Sequence, residues 1–181
     1  MARIYDKNFK EILSSQVVSI MGGIIAGLIL AVYTDKILII PGMLIALPPF
    51  LDMRGNISGT LASRLSSGLF LGVIKPGDKK SEILRGNIFA SFILACIISL
   101  ALGLVAFLFN QIIMKQYYPQ IILIFLIAGI IASAIEIPLA IYLTFKVFKS
   151  GHDPNNIFGP FVTSTGDITS VLSLLVALVI I

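Results

Sequence analysis

The sequence predicts an all-α integral membrane protein with five transmembrane helices, the second of them broken, and three observations carry that expectation. Apolar residues fill 57% of the 181 positions and charged residues only 12%, about half the ~25% usual in soluble domains. Mean hydropathy is +1.04, more apolar surface than a water-soluble fold hides. A hydrocarbon layer ~30 Å thick takes about 20 apolar residues per helix, so a chain of this length holds roughly five helices and short loops. No soluble regulatory domain fits beside them, and 1–181 is expected to be a single transmembrane domain.

The first helix is expected over 12–33. Arg3, Lys7 and Lys10 precede it as they would a secretory signal. The run is longer than the ~7–15 apolar residues of such a signal, and no small-residue cleavage site follows. The second helix, over 37–72, is too long and too polar for a plain span. Pro48 and Pro49 each remove a backbone donor there and Gly55 and Gly59 follow, so a break near Pro48-Pro49 is expected. The third, fourth and fifth helices are expected over 86–110, 119–146 and 157–181. Asp153-Pro154 opens the last of them, with His152 in a solvated turn before it.

Loop charges orient the bundle. Arg3, Lys7 and Lys10, then Lys75, Lys79, Lys80 and Arg85, then Lys146 and Lys149 put nine cations on one side, against Lys36 and Lys115 on the other. The positive-inside rule then predicts a cytoplasmic N-terminus and an outer C-terminus. Topology thereby accounts for the net charge of +4, and no nucleic-acid partner is implied. The single cysteine, Cys96, lies in an apolar run and reads as a small buried hydrophobe, not as a disulfide or metal ligand.

Five ionisable residues fall within the predicted spans: Asp52, Arg54 and Arg64 in the second, Glu136 in the fourth and Asp167 in the fifth. A charge at a helix centre costs at least ~2.5–3.5 kcal/mol on insertion scales, so each is expected to face protein or water. Asp167 lies about 15 Å along its helix, near the midplane, with Glu136 at similar depth, whereas Arg64 is close enough to the cytoplasmic end to snorkel. Three acids against two bases favour a cation. Around Asp167 run Thr163, Ser164, Thr165, Thr169 and Ser170, oxygen donors of the kind that suit hard cations such as Mg²⁺. The competing reading is that these hydroxyls bond back to their own helix. Asp52 and Arg54 would pair only if the backbone between them were unwound.

Small residues form a second pattern. Gly55, Gly59, Ser63 and Ser67 are spaced by four, with Asn56 and Thr60 alongside, and Gly23/Gly27 and Gly68/Gly72 repeat the spacing. Such stripes let helices approach closely; Asn56, beside the expected break, reads better as a ligand.

Two segments carry a family resemblance: Pro48-Pro49-Phe50-Leu51-Asp52-Met53-Arg54-Gly55-Asn56, continuing through Leu61-Ala62-Ser63-Arg64-Leu65-Ser66, and Asp153-Pro154-Asn155-Asn156 leading to Ser164-Thr165-Gly166-Asp167. Together they resemble the membrane domain of MgtE-type magnesium transporters, and still more their eukaryotic solute-carrier relatives. The resemblance implies a five-helix unit that dimerises around an ion path lined by helices 2 and 5, here as a homodimer in the bilayer. It implies Asp167 as the main cation-binding residue and Asn56 as the match to the helix 2 asparagine. The bacterial motif has glycine where Arg54 stands, and asparagine eight residues before the helix 5 aspartate, where this chain has Gly159. The large cytoplasmic sensor of bacterial MgtE is expected to be lacking, which would leave gating to the membrane unit or to another chain.

The expected function is transport of a divalent cation, Mg²⁺ first, with no cofactor beyond the transported ion. Asp167, Asn56, Asp52, Glu136, Thr163 and Ser164 are the expected ligands. A Na⁺-coupled exchanger or exporter and a non-transporting membrane partner are the alternatives. An enzyme is not expected, since no nucleophile has an adjacent base, no second histidine is present and no dense carboxylate motif occurs.

Overall fold

A computed structural model describes residues 7–77 and 81–181, and every described element of regular structure is helical. Helix α1 runs Lys7–Val32, α2 Thr34–Leu38, α3 Met43–Phe70, α4 Glu82–Ile112, α5 Gln120–Lys149 and α6 Pro154–Ile180. The basic residues Arg3, Lys79 and Lys80, used to orient the bundle, lie outside the described residues. Among the described residues four helices are long and apolar enough to cross a membrane: α1, α4, α5 and α6. Helix α3 has 28 residues, about 42 Å, but carries Asp52, Arg54 and Arg64.

The expected second helix is corrected in two respects. It is not one run over 37–72: short α2 ends at Leu38, and α3 starts at Met43 after a turn through Pro41 and Gly42. The helix is also not broken at Pro48-Pro49, both of which lie inside α3. The two prolines remove the bonds that would reach the carbonyls of Leu44 and Ile45, and the flanking packing holds the helix across that gap. Leu47 and Phe50 are buried on either side, and the Phe50 ring meets Phe125 of α5 edge-on with centroids 5.3 Å apart.

Local chemistry sets the other ends. The Ser81 hydroxyl accepts from the Leu84 amide at 3.4 Å, so α4 starts four residues before its expected boundary. Asp153 caps α6 by accepting from the Asn155 amide at 2.9 Å, and Pro154 takes the first helical position, as expected. Gly72 follows α3 in the left-handed region, at φ +72°, its amide donates to the Leu69 carbonyl at 3.1 Å and a β-carbon there would meet nothing; it is a turn residue rather than a packing one.

Helix α6 packs against α1, α3 and α5, and α3 packs against α4, α5 and α6. The α1 to α6 contact passes through Gly22, where a β-carbon would fall 2.4 Å from Ser164 Cβ. The expected packing glycines of this helix, Gly23 and Gly27, have open space beside them within the chain. A residue at Gly22 is therefore the close-approach position. One apolar cluster joins Met43, Leu47, Phe50, Phe125 and Leu174, and a second joins Leu61, Leu65, Ile137, Phe158 and Val162. Large apolar side chains such as Leu28, Leu104, Leu123 and Val179 are exposed around the bundle, as a lipid-facing surface requires.

Candidate functional site

An α-helix that repeats polar residues every three or four positions gathers them on one face. On α3 those are Asp52, Asn56, Thr60, Ser63, Arg64 and Ser67, all exposed, while Met53, Arg54, Ile57, Ser58, Leu61, Ala62, Leu65 and Ser66 turn inward. Asn56 donates from Nδ2 to Asp52 Oδ2 at 2.8 Å, one turn away. The face opens onto a groove of about 410 Å³ whose far wall is the apolar side of α4, including Leu94, Ile98 and Leu102. Arg64 stands at one end of it, 3.4 Å from Asn87 Oδ1.

Helix α6 closes the other flank of this face. Gly55 lies against Thr163, where a β-carbon would come within 3.4 Å of the hydroxyl, and Gly166 lies against the Arg54 backbone and Cβ. That packing leaves Asp167 half-buried, with its carboxylate in the electrostatic field of Asp52. Asp52, Asn56, Thr163 and Asp167 thus come together along the junction of α3 and α6. Glu136 and Ser164 do not share that open surface: each is buried, Glu136 behind α6 and Ser164 against α1.

The hydroxyls around Asp167 bond largely to their own helix. Thr163 donates to the Gly159 carbonyl at 3.0 Å, Ser164 to Phe161 at 2.9 Å and Thr165 to Phe161 at 3.1 Å. Thr169 differs, because its hydroxyl also lies 2.8 Å from Glu136 Oε1. Their oxygen lone pairs stay available as acceptors or ligands after the proton is donated.

Asp52 and Arg54 do not pair. With α3 regular through both, they point in opposite directions, and Arg54 runs into the interior with 1% of its surface exposed. Its guanidinium donates to the Gly129 carbonyl at 2.8 Å, to the Ser133 hydroxyl and, at 3.4 Å, to the Ser99 hydroxyl, and it lies over the Phe50 ring. Nothing in the sequence marked Ser99, Gly129 and Ser133 as a set, since small residues in apolar runs read as packing.

A second group of contacts, absent from the sequence expectations, ties one end of the bundle together. His152 Nδ1 lies 2.7 Å from Glu11 Oε1, the Ser15 hydroxyl donates to the Asn156 carbonyl at 3.1 Å, and Asn155 donates to the Ser66 hydroxyl at 3.1 Å. Helices α1, α3 and α6 are joined there by side chains that lie far apart in the chain.

The MgtE family model, described as a divalent cation transporter, matches residues 47–177, from the second turn of α3 to the last turn of α6. The chain belongs to the MgtE family. Solute carrier family 41 member 3 of Rattus norvegicus is 26% identical over 139 residues, covering 74% of this chain and 30% of its own length. Solute carrier family 41 member 2 of Homo sapiens is 24% identical over 131 residues, covering 70% of this chain and 23% of its own. The member 2 protein of Gallus gallus is 24% identical over 156 residues, 83% of this chain and 27% of its own. This chain therefore spans less than a third of the curated relatives it matches. No solved structure matches. With four helices fit to cross a bilayer, this member of the MgtE family is a multi-pass membrane protein, and the matched segment contains Asp52, Asn56, Glu136, Thr163 and Asp167.

Proposed function

We propose that this protein transports a divalent cation, Mg²⁺ before others, along a path lined by α3 and α6 and completed by a second copy of the chain. The carrying observation is the pair of carboxylates, Asp52 and Asp167, that two helices bring together beside Asn56 on an open polar face. A polar face of that extent is unstable against lipid and needs water or protein opposite it. A homodimer supplies both, by setting two such faces across a wet path. In this arrangement α3 is the fifth span, the N-terminus is cytoplasmic and the C-terminus outer, with α1 to α6 forming one transmembrane unit over 1–181.

The donor set argues for a hydrated hard cation. Among the described residues no three His, Cys, Asp or Glu side chains cluster closely enough to cage a metal. Mg²⁺ keeps several of its waters and binds through one or two carboxylates, which is what Asp52 and Asp167 offer. Asn56 and the Thr163 hydroxyl contribute neutral oxygens at the rim of the same path. Cation uptake into proteoliposomes tests the assignment: Asp167→Ala is expected to abolish most Mg²⁺ flux, and undiminished flux would overturn it. An imposed Na⁺ gradient in the same vesicles distinguishes uncoupled passage from Na⁺-coupled exchange or export.

A further inference from the structure

Helix α6 is hemmed in on three sides over the two turns that carry Asp167. Toward α1, a β-carbon on Gly22 would fall 2.4 Å from Ser164 Cβ. Toward α5, the Thr169 hydroxyl lies 2.8 Å from Glu136 Oε1. Toward α3, Gly166 is buried, and a β-carbon on it would fall 3.3 Å from Arg54 Cβ and 3.7 Å from the Gly55 amide nitrogen. Ser164 to Thr169 spans about 8 Å of helix, so the three contacts act on one short, stiff segment. Helix α3 is held as firmly on its side of the crossing. The Arg54 side chain reaches through the interior to the Gly129 carbonyl, 2.8 Å away on α5, and to the Ser133 and Ser99 hydroxyls. Gly166 directly precedes Asp167, and Gly55 directly precedes Asn56. Where glycines meet, helix backbones approach closely, and here they do so at the level of the candidate ligands.

We propose that Gly166 is a specificity-determining residue: its missing side chain sets the spacing of α3 and α6, and through it the separation of Asp52 and Asp167, at a value that suits Mg²⁺ over Ca²⁺. The proposal rests on the reading of Asp52 and Asp167 as the cation site. The lengths involved agree. A carbon pair is most stable at about 3.5–4.0 Å, so a methyl group held 3.3 Å from Arg54 Cβ moves the helices apart by a few tenths of an ångström. Oxygen ligands stand about 2.0–2.1 Å from Mg²⁺ and about 2.3–2.6 Å from Ca²⁺, so two groups facing each other across the ion separate by roughly 0.5–1 Å on going from one to the other. The displacement that alanine imposes is of the same order. Mg²⁺ also demands near-octahedral geometry where Ca²⁺ accepts irregular shells, so a widened site loses Mg²⁺ first. Discrimination between the two ions is then set by packing at a residue that carries no donor.

The test is calorimetric titration of the full-length, detergent-solubilised protein with Mg²⁺ and, separately, with Ca²⁺. The wild type is expected to prefer Mg²⁺, and Gly166→Ala to lower the ratio of Mg²⁺ to Ca²⁺ affinity at least about fivefold, with Mg²⁺ weakened and Ca²⁺ held or tightened. Asp153→Ala, which loses the cap at the start of α6, is the control for lowered stability and is expected to keep the wild-type ratio. A Gly166→Ala protein whose two affinities are unchanged, or fall by the same factor, overturns the proposal, because the glycine then serves packing alone. Should Gly166→Ala fail to fold, Gly55→Val applies the same displacement from the α3 side, where a β-carbon already comes within 3.4 Å of the Thr163 hydroxyl: a shift toward Ca²⁺ supports the proposal and an unchanged ratio refutes it. Asp167→Asn separates the two levels, since a variant that binds both cations as the wild type does removes the cation-site reading itself, whatever the glycine variants do.

Discussion

Gly129→Ala is the most demanding single test of how α4 and α5 meet. A β-carbon at this position would sit 2.0 Å from Ser99 Oγ, 2.6 Å from Ser99 Cβ and 3.1 Å from Arg54 Nη2. A change of rotamer can move the Ser99 hydroxyl away, but its Cβ is fixed to the α4 backbone, so the two helices must separate. Overpacking of this kind costs about 1–3 kcal/mol. Separation also loosens the bonds from Arg54 to Ser99 and the Gly129 carbonyl, and a hydrogen bond to a charged group is worth about 1.5–3 kcal/mol. Alanine returns up to about 1 kcal/mol in helix propensity. The expected net loss is about 2–4 kcal/mol, a fall in melting temperature on the order of 5–15 °C. The chain has one cysteine and no tryptophan, so thermal unfolding in detergent is followed by fluorogenic labelling of Cys96, one turn from Ser99. Gly23→Ala and Gly27→Ala, with open space beside each glycine, are expected to melt at or slightly above wild type. A Gly129→Ala protein that melts with the wild type would refute the close crossing and the packing around Arg54.

Three further outcomes follow from the same geometry. Asp52→Asn removes one of the two carboxylates along the junction of α3 and α6 and is expected to lower Mg²⁺ uptake at least tenfold, with the melting temperature in the absence of metal unchanged or raised. Thr169→Val deletes the hydroxyl partner of buried Glu136 Oε1; leaving a buried acceptor unsatisfied costs about 1–3 kcal/mol, read as a lower midpoint in the same labelling melt. Asp153→Ala removes the cap that accepts from the Asn155 amide, with an expected loss of about 1 kcal/mol and no change in Mg²⁺ affinity measured by calorimetry.

The helical plan was legible because apolar runs report burial in lipid directly, and Asp153 and Pro154 mark the start of α6 by local chemistry. The break assigned to Pro48-Pro49 was misplaced because local backbone chemistry does not report the packing of Phe50 and Leu47 that carries the helix through. The open half of the candidate site was legible too: Asp52, Asn56 and Asp167 are ionisable or amide residues in apolar surroundings, which alone makes them conspicuous. Its buried half was not. The destination of Arg54 depends on Ser99, Gly129 and Ser133, residue types too common in helix interiors to signal a polar pocket before α3, α4 and α5 are assembled. The Glu11 to His152 contact was hidden for the same reason, its partners lying 141 residues apart.

The burial of Arg54 also bears on how the protein is made. The guanidinium leaves the ribosome 45 residues ahead of Ser99, 75 ahead of Gly129 and 79 ahead of Ser133. At translation rates of about 5–20 residues per second, roughly 4–16 s pass between the synthesis of Arg54 and that of Ser133. During that interval α3 carries a charge that its own neighbours in sequence do not neutralise, at a cost of about 2.5–3.5 kcal/mol if it lies at the bilayer centre. With α3 as a span, its guanidinium is compensated only once α5 arrives, and the expected biogenesis of this chain is a delayed, cooperative event rather than the insertion of one helix after another.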